Sequence, residues 1–187
     1  GLESDQMEGL PSSDAEGELA KYIEILRAHG HPHPVFELAI RWLADNVPPS
    51  QARCLVHGDF RMGNLIVSPE SGVVAILDWE LAHIGDPMED LGWPCVPSWR
   101  FGQHQNPVGG FGQREDFYAA YEAAGGKIDR PAVRFWEILG TLKWGIMCTM
   151  MATAFTSGAD RTVERAAIGR RASETEIDLL RMLEGLD

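Results

Sequence analysis

The chain has 187 residues and a net charge of −12, from 28 acids against 16 bases; 44% of its residues are hydrophobic and 24% charged. One domain with a sizeable core fits that length, and the acidic balance excludes a general nucleic-acid binder, which carries a basic face. Cys54, Cys95 and Cys148 are odd in number, far apart and without a CxxC pair. A disulfide framework and a cysteine-based zinc site are therefore excluded too, and a reducing cytoplasm is the expected location.

Residues 1–12 lack periodicity and are expected to be a leader or linker; the N-terminus is acidic, without the apolar stretch of a signal peptide. Ser13-Asp14-Ala15-Glu16 is a capping-box pattern, and Leu19, Ile23 and Leu26 follow at helical spacing up to Gly30. His31-Pro32-His33-Pro34 is a turn; its prolines hold it extended, and no acid or cysteine follows in register to complete a metal site. A second helix is predicted over Val35–Asn46, with Phe36, Ile40 and Leu43 on one face. Three short strands follow: Cys54–Val56, Leu65–Val67 and Val73–Leu77. The last two form a hairpin across Ser68-Pro69-Glu70-Ser71-Gly72. Asp86-Pro87 opens a helix as N-cap and N1. The stretch from Trp93 to Gly112, rich in Gly, Pro and aromatics, is predicted to be a long irregular loop that selects substrate. For Trp99, Arg100 and Phe101 individually, as for Lys143 and Trp144, core packing or a surface ion pair is the expectation. Gln113–Ala124 is helical. A run from Pro131 to about Phe155, apolar nearly all round, reads as a buried central helix. Its uncharged part, Trp144 to Gly158, is shorter than the ~18 residues of a membrane span, so no membrane partner is expected. A shorter helix over Thr162–Arg171 and a last one opened by Ser173-Glu174-Thr175-Glu176, with Ile177, Leu180 and Leu183 apolar, complete the chain.

The chemistry concentrates between two of the strands. Asp59 stands in a loop after an apolar strand, beside Gly58, where a carboxylate can orient or deprotonate a hydroxyl. A lone aspartate there is commonly only a turn cap. Asn64, five residues on, adds a neutral oxygen suited to Mg²⁺, and the hairpin sets it beside the charged Asp78. Phosphoryl transfer needs this combination of hydroxyl-positioning group and metal ligands. His57 is better placed to hold the loop by hydrogen bonding than to act as a base. Arg61 suits a phosphate, a substrate acid or a structural ion pair equally.

His57-Gly58-Asp59-Phe60-Arg61-Met62-Gly63-Asn64 resembles the HGDxxxxN catalytic loop of the aminoglycoside phosphotransferase and choline kinase family. Ile76-Leu77-Asp78-Trp79-Glu80 resembles that family's second metal motif, and Gly85-Asp86-Pro87-Met88-Glu89-Asp90-Leu91 its GDPxxDL segment. The wording is especially similar to the kinase-like domains fused to acyl-CoA dehydrogenases, pointing to a hydroxylated acyl substrate rather than an antibiotic. The resemblance implies an α+β, mainly α, protein-kinase-like fold. It makes Asp59 the catalytic base and Asn64 and Asp78 magnesium ligands, with Arg61 at the nucleotide. Glu80 would border the site, while Asp86 and Asp90 would buttress the loop. ATP and Mg²⁺ are the implied co-substrate and cofactor, and a small-molecule hydroxyl the acceptor.

Kinases of this family also carry an N-terminal β-lobe with a phosphate-covering loop and a strand-borne lysine. The residues before Leu55 hold two helices and a single lysine, Lys21, on a helix. Residues 13–187 are thus expected to be the C-terminal lobe alone, poor at binding ATP and turning over little. An apolar surface facing the missing lobe, and homodimers formed through it, are expected in turn. The rival reading is a non-catalytic binding module built on the same fold. A metal-dependent phosphohydrolase is weaker, for the DxD-type nucleophile is lacking.

Overall fold

Gly30 and the prolines Pro32 and Pro34 divide the N-terminal stretch into two helices, α1 (Ala15–His29) and α2 (Pro34–Asp45). A computed structural model describes residues 9–49 and 53–186, and the fold is α+β and mainly helical, as the sequence implies. Among the described residues two compact units compose it: 16–47 with 138–186, and the remainder up to Glu137.

The helical unit contains α1 from Glu16 on, α2, the part of α5 (Arg130–Ser157) beyond Glu137, α6 (Val163–Gly169) and α7 (Ala172–Glu184). Pro34 opens α2 at its first turn, where the missing N–H is no loss, and Phe36, Ala39 and Leu43 are fully buried. Gly145 lets α5 approach α2 and α7 closely, since a Cβ there would lie 2.4 Å from Thr175 Oγ1 and 2.6 Å from the Phe36 ring. Thr162 caps α6 by accepting the Arg165 N–H at 3.3 Å. Ser173 is no cap for α7: the helix begins at Ala172, and the Ser173 hydroxyl donates back to the Arg170 carbonyl. The buried face of α7 is Thr175, Leu179 and Met182, leaving Ile177 and Leu180 outside. Lys143 lies over the Tyr22 ring and Arg171 over Trp144.

The mixed unit holds the strands. In it β1 (Cys54–Val56) pairs antiparallel with β4 (His83–Gly85), a strand too short to show in the sequence, with Leu55 opposite Ile84. Residues 11–13 run along the other side of Ile84, whose N–H donates to the Pro11 carbonyl and whose carbonyl accepts from Ser13. Ser13 is therefore strand-bonded, and α1 starts at Ala15. The hairpin of β2 (Leu65–Ser68) and β3 (Gly72–Ile76) forms as expected, with a bulge between Ile66 and Val67. The Ser68 hydroxyl accepts from Glu70 and Ser71 N–H, and Gly72 supplies the left-handed φ of 72° that closes the turn.

The irregular loop predicted from Trp93 to Gly112 is structured in its first half. Short α3 (Met88–Gly92) runs into two 3₁₀ turns, Trp93–Cys95 and Pro97–Arg100, and every residue from Leu91 to Arg100 is buried. Gly92 permits this, for a Cβ would meet Trp136 and Glu137 at 2.8 Å. Arg100 is neutralised inside by Glu137, which Arg114 also pairs, and bonds the Cys95 carbonyl at 3.0 Å. Only the second half, with Phe101 and Phe111 exposed, is open loop leading to α4 (Arg114–Ala123). By length and composition α5 is apolar enough to cross a membrane, yet Ile138, Leu139, Leu142 and Ile146 are buried within the chain.

Burial pushes the Cys95 thiol up to about 12 and the Cys148 thiol up to about 11, and raises Cys54, assisted there by the Asp90 and Asp86 charges. Iodoacetamide at about pH 8 should therefore leave Cys95 and Cys148 unmodified until urea is added, as read by mass spectrometry. Rapid labelling of Cys95 in the native chain would contradict its buried position.

Candidate active site

Val56 ends β1 buried, and the chain turns through Gly58, whose φ of 80° and close Leu81 carbonyl (2.7 Å from an added Cβ) admit no side chain. The turn is held from α3. Asp90 Oδ2 accepts the His57 N–H at 2.7 Å and Oδ1 the Gly58 N–H at 3.0 Å. Burial raises the Asp90 carboxyl above the usual range, opposed by those two donors. Asp86 is buried as well. One of its oxygens accepts the Met88 N–H (2.9 Å) just ahead of α3, whose N-cap position is Pro87 rather than the expected Asp86, and the other accepts the Trp136 indole N–H (2.9 Å).

His57 is buried with both ring nitrogens engaged. Nε2–H donates to the Leu77 carbonyl at 2.9 Å and Nδ1 accepts the Asp59 N–H at 3.2 Å, a tautomer assigned from these partners. The ring also rests on Trp79 at 4.6 Å. His57 thus ties the loop to the end of β3 and has no nitrogen left for proton transfer.

Asp59 is the focus. Its Oδ1 accepts the Trp93 indole N–H at 2.7 Å and its Oδ2 the Asn64 amide at 2.7 Å, while Arg61 Nε lies 3.1 and 3.2 Å from the two oxygens. The Asn64 amide also donates to the Asp59 carbonyl at 2.8 Å, which leaves its Oδ1 as a neutral acceptor. Asn64 closes a 3₁₀ turn, Met62–Asn64, and its carbonyl takes the Leu77 N–H at 2.8 Å. Asp78 follows Leu77 directly, exposed and left-handed at φ 67° and ψ 57°. Phe101 is the other non-glycine residue of positive φ among those described. Such backbone strain tends to be retained at functional positions. Glu80 is exposed on the 3₁₀ turn that follows, Trp79–Leu81. The loop and hairpin therefore gather Asp59, Arg61 and Asn64 by direct contact and bring the Asp78 backbone alongside. Asp86 and Asp90 contact backbone and indole groups instead.

Among the described residues no group of three or more His, Cys, Asp or Glu stands ready for a metal. Mg²⁺ needs no such cluster, since it takes one or two protein oxygens and completes its octahedron with water and substrate phosphates. Asn64 Oδ1 and the Asp78 carboxylate are the oxygens on offer. Beside the loop lies a cavity of about 360 Å³, walled by Phe60, Met62, Leu65, Val108 and Phe111, with Arg61 and Asp116 as its charged members. Trp93 is the site residue that sequence reasoning missed. It stands 34 positions from its partner, in a segment that reads as loop.

Comparison with known proteins gives the family and the fold. The model of the phosphotransferase enzyme family, APH, matches residues 5–136. Acyl-CoA dehydrogenase family member 10 of Mus musculus is 48% identical over 64 residues, covering 34% of this chain and 6% of that protein. Acyl-CoA dehydrogenase family member 11 of Pongo abelii is 31% identical over 133 residues, covering 64% and 17%. The chain thus corresponds to a small part of these relatives. A crystal structure from Ralstonia eutropha JMP134, assigned as an aminoglycoside phosphotransferase, superposes with a TM-score of 0.78 at 22% identity, over 95% of this chain and 57% of that one. Macrolide 2'-phosphotransferase type I gives 0.57 at 18% identity, over 91% and 50%. The two structures share the kinase-like fold over part of their length, and the matched model decides the family: the chain belongs to the APH phosphotransferase enzyme family.

Proposed function

We propose that this chain is the catalytic lobe of an ATP- and magnesium-dependent phosphotransferase whose acceptor is a hydroxyl on a small molecule. The observation that carries the reading is one carboxylate, Asp59, clamped by Asn64 next to Asp78. Asp59 orients the acceptor O–H and takes its proton as the oxygen bonds the γ-phosphorus of ATP and the bridging P–O bond to ADP breaks. Magnesium, when bound, neutralises charge on the phosphates; Asn64 Oδ1 and Asp78 would hold it. Asp59 engages Arg61 through Nε alone, so its terminal nitrogens are left for a phosphate or an acid on the acceptor.

The apolar wall of the cavity supports an acceptor with an apolar body. A polycationic aminoglycoside would meet one carboxylate there, Asp116. The relatives named as acyl-CoA dehydrogenases favour an alcohol carrying an acyl chain. A cytoplasmic location, without nucleic-acid or membrane partners, belongs to the same proposal, from the cysteines and the acidity. The chain alone supplies one part of the nucleotide site in this reading, and its own turnover is expected to be small. Titration with Mn²⁺ as a paramagnetic stand-in should selectively broaden the Asn64 side-chain amide resonances, and D78N should abolish the effect. Broadening that spares Asn64 would sink the metal assignment.

One observation favours a partner role alongside catalysis. The hairpin exposes Ile66, Val67, Val73 and Val74, each about half accessible, and neither outer edge pairs with another strand among the described residues. Apolar unpaired edges recruit further strands. We propose that two copies of this chain associate there. Light scattering should report more than the mass of one chain, and V67K with V74K should restore the monomer; a monomer in the unmodified chain removes the proposal.

A further inference from the structure

We propose that Trp93 is a positioning residue for Asp59, the end of a closed ring of contacts that fixes the carboxylate's rotation. This rests on the reading of Asp59 as the base. The Trp93 indole donates to Asp59 Oδ1 at 2.7 Å; Arg61 Nε lies 3.1 Å from the same oxygen. The Arg61 guanidinium stands 5.0 Å over the Trp99 ring, and Trp99 meets Trp93 edge-on at 5.3 Å and 62°. Each of the four side chains touches the next, so none moves without loosening its neighbours. Both tryptophans are at most 6% exposed, packed on the consecutive 3₁₀ turns, and so form a rigid wall.

The geometry distinguishes holding from mere satisfaction of an indole. A carboxylate bonded at one oxygen swings about its Cβ–Cγ bond. Asp59 has donors from opposite sides, Trp93 on Oδ1 and Asn64 on Oδ2. Turning the carboxylate plane breaks both bonds together. Asn64 and Arg61 tie it to the turn they stand on; Trp93 ties it to the buried wall. A base held this way meets its hydroxyl without first reorganising, which is where misplacement by about 1 Å costs roughly 100-fold. Arg61, seated over the Trp99 ring, adds a third donor to the same two oxygens.

W93F keeps an aromatic ring and removes the N–H. In ¹⁵N–¹H spectra of this chain, which has six tryptophans, W93F should delete one indole resonance, and D59N should shift that same resonance. W93F should also shift the Asn64 side-chain amide pair, which shares the carboxylate, while thermal unfolding shows the fold retained. An indole resonance indifferent to D59N, or an unmoved Asn64 pair in W93F, would overturn the proposal. In the full-length protein W93F should lower kcat for ATP consumption by roughly 10–100-fold with the KM for ATP unchanged. Loss of D59N turnover with W93F at wild-type kcat defeats the positioning role alone. Turnover that survives D59N defeats the base assignment from which it follows.

Discussion

Replacing Asp59 by Asn in the full-length protein should lower ATP-dependent phosphorylation by roughly 10²–10⁴-fold with little change in fold. An amide of nearly the same shape keeps an acceptor for one of the Trp93 and Asn64 donors, which together hold this residue from both sides. What it lacks is a site for the acceptor's proton. Steady-state kinetics beside a thermal melt separates the two effects. A kcat within a factor of about 2 of wild type would mean that the most heavily bonded carboxylate of the loop is an architectural tie.

The second large effect is on stability. Asp90→Ala should destabilise the fold by roughly 3 kcal/mol, read as a fall in Tm of about 6–12 °C. The change strips the acceptor from the His57 and Gly58 N–H groups, which bond Asp90 at 2.7 and 3.0 Å. D90N isolates the charge. Burial sets the folded-state carboxyl above its ordinary value of 3.8, so the folded state holds that proton more tightly than the unfolded chain. The Asp90 contribution is therefore full below the ordinary value and declines as pH rises through the raised one. The stability difference, wild type minus D90N, should shrink with rising pH over that window in urea titrations. A difference that widens would show that the two N–H donors outweigh burial.

Local features made the catalytic loop legible. His57 to Asn64 is contiguous, and the turn at Ser68–Gly72 that returns the chain toward Asp78 is written in five residues. α2 and α4 likewise follow from a proline start or a glycine stop, and their bounds differ from expectation by one residue at each end. What stayed hidden depends on distant partners. β4 is three residues long, and its pairing with β1 has no period to betray it. Burial of the Leu91–Arg100 segment needs Glu137, 37 positions beyond Arg100, to neutralise the arginine. In α7 both faces offer apolar residues, and packing chose Leu179 and Met182 over Ile177 and Leu180. The Trp93 bond to Asp59 belongs to the same class. The loop's motif is local, but the wall that orients its carboxylate is tertiary.

Phosphoryl transfer to an alcohol can be followed by ³¹P NMR of the full-length protein with Mg·ATP and a panel of alcohols with apolar bodies. ADP and a new phosphomonoester signal should rise in equal amounts, both lost with EDTA. Unchanged ATP across the panel, or ADP accompanied only by inorganic phosphate, would contradict transfer to an alcohol.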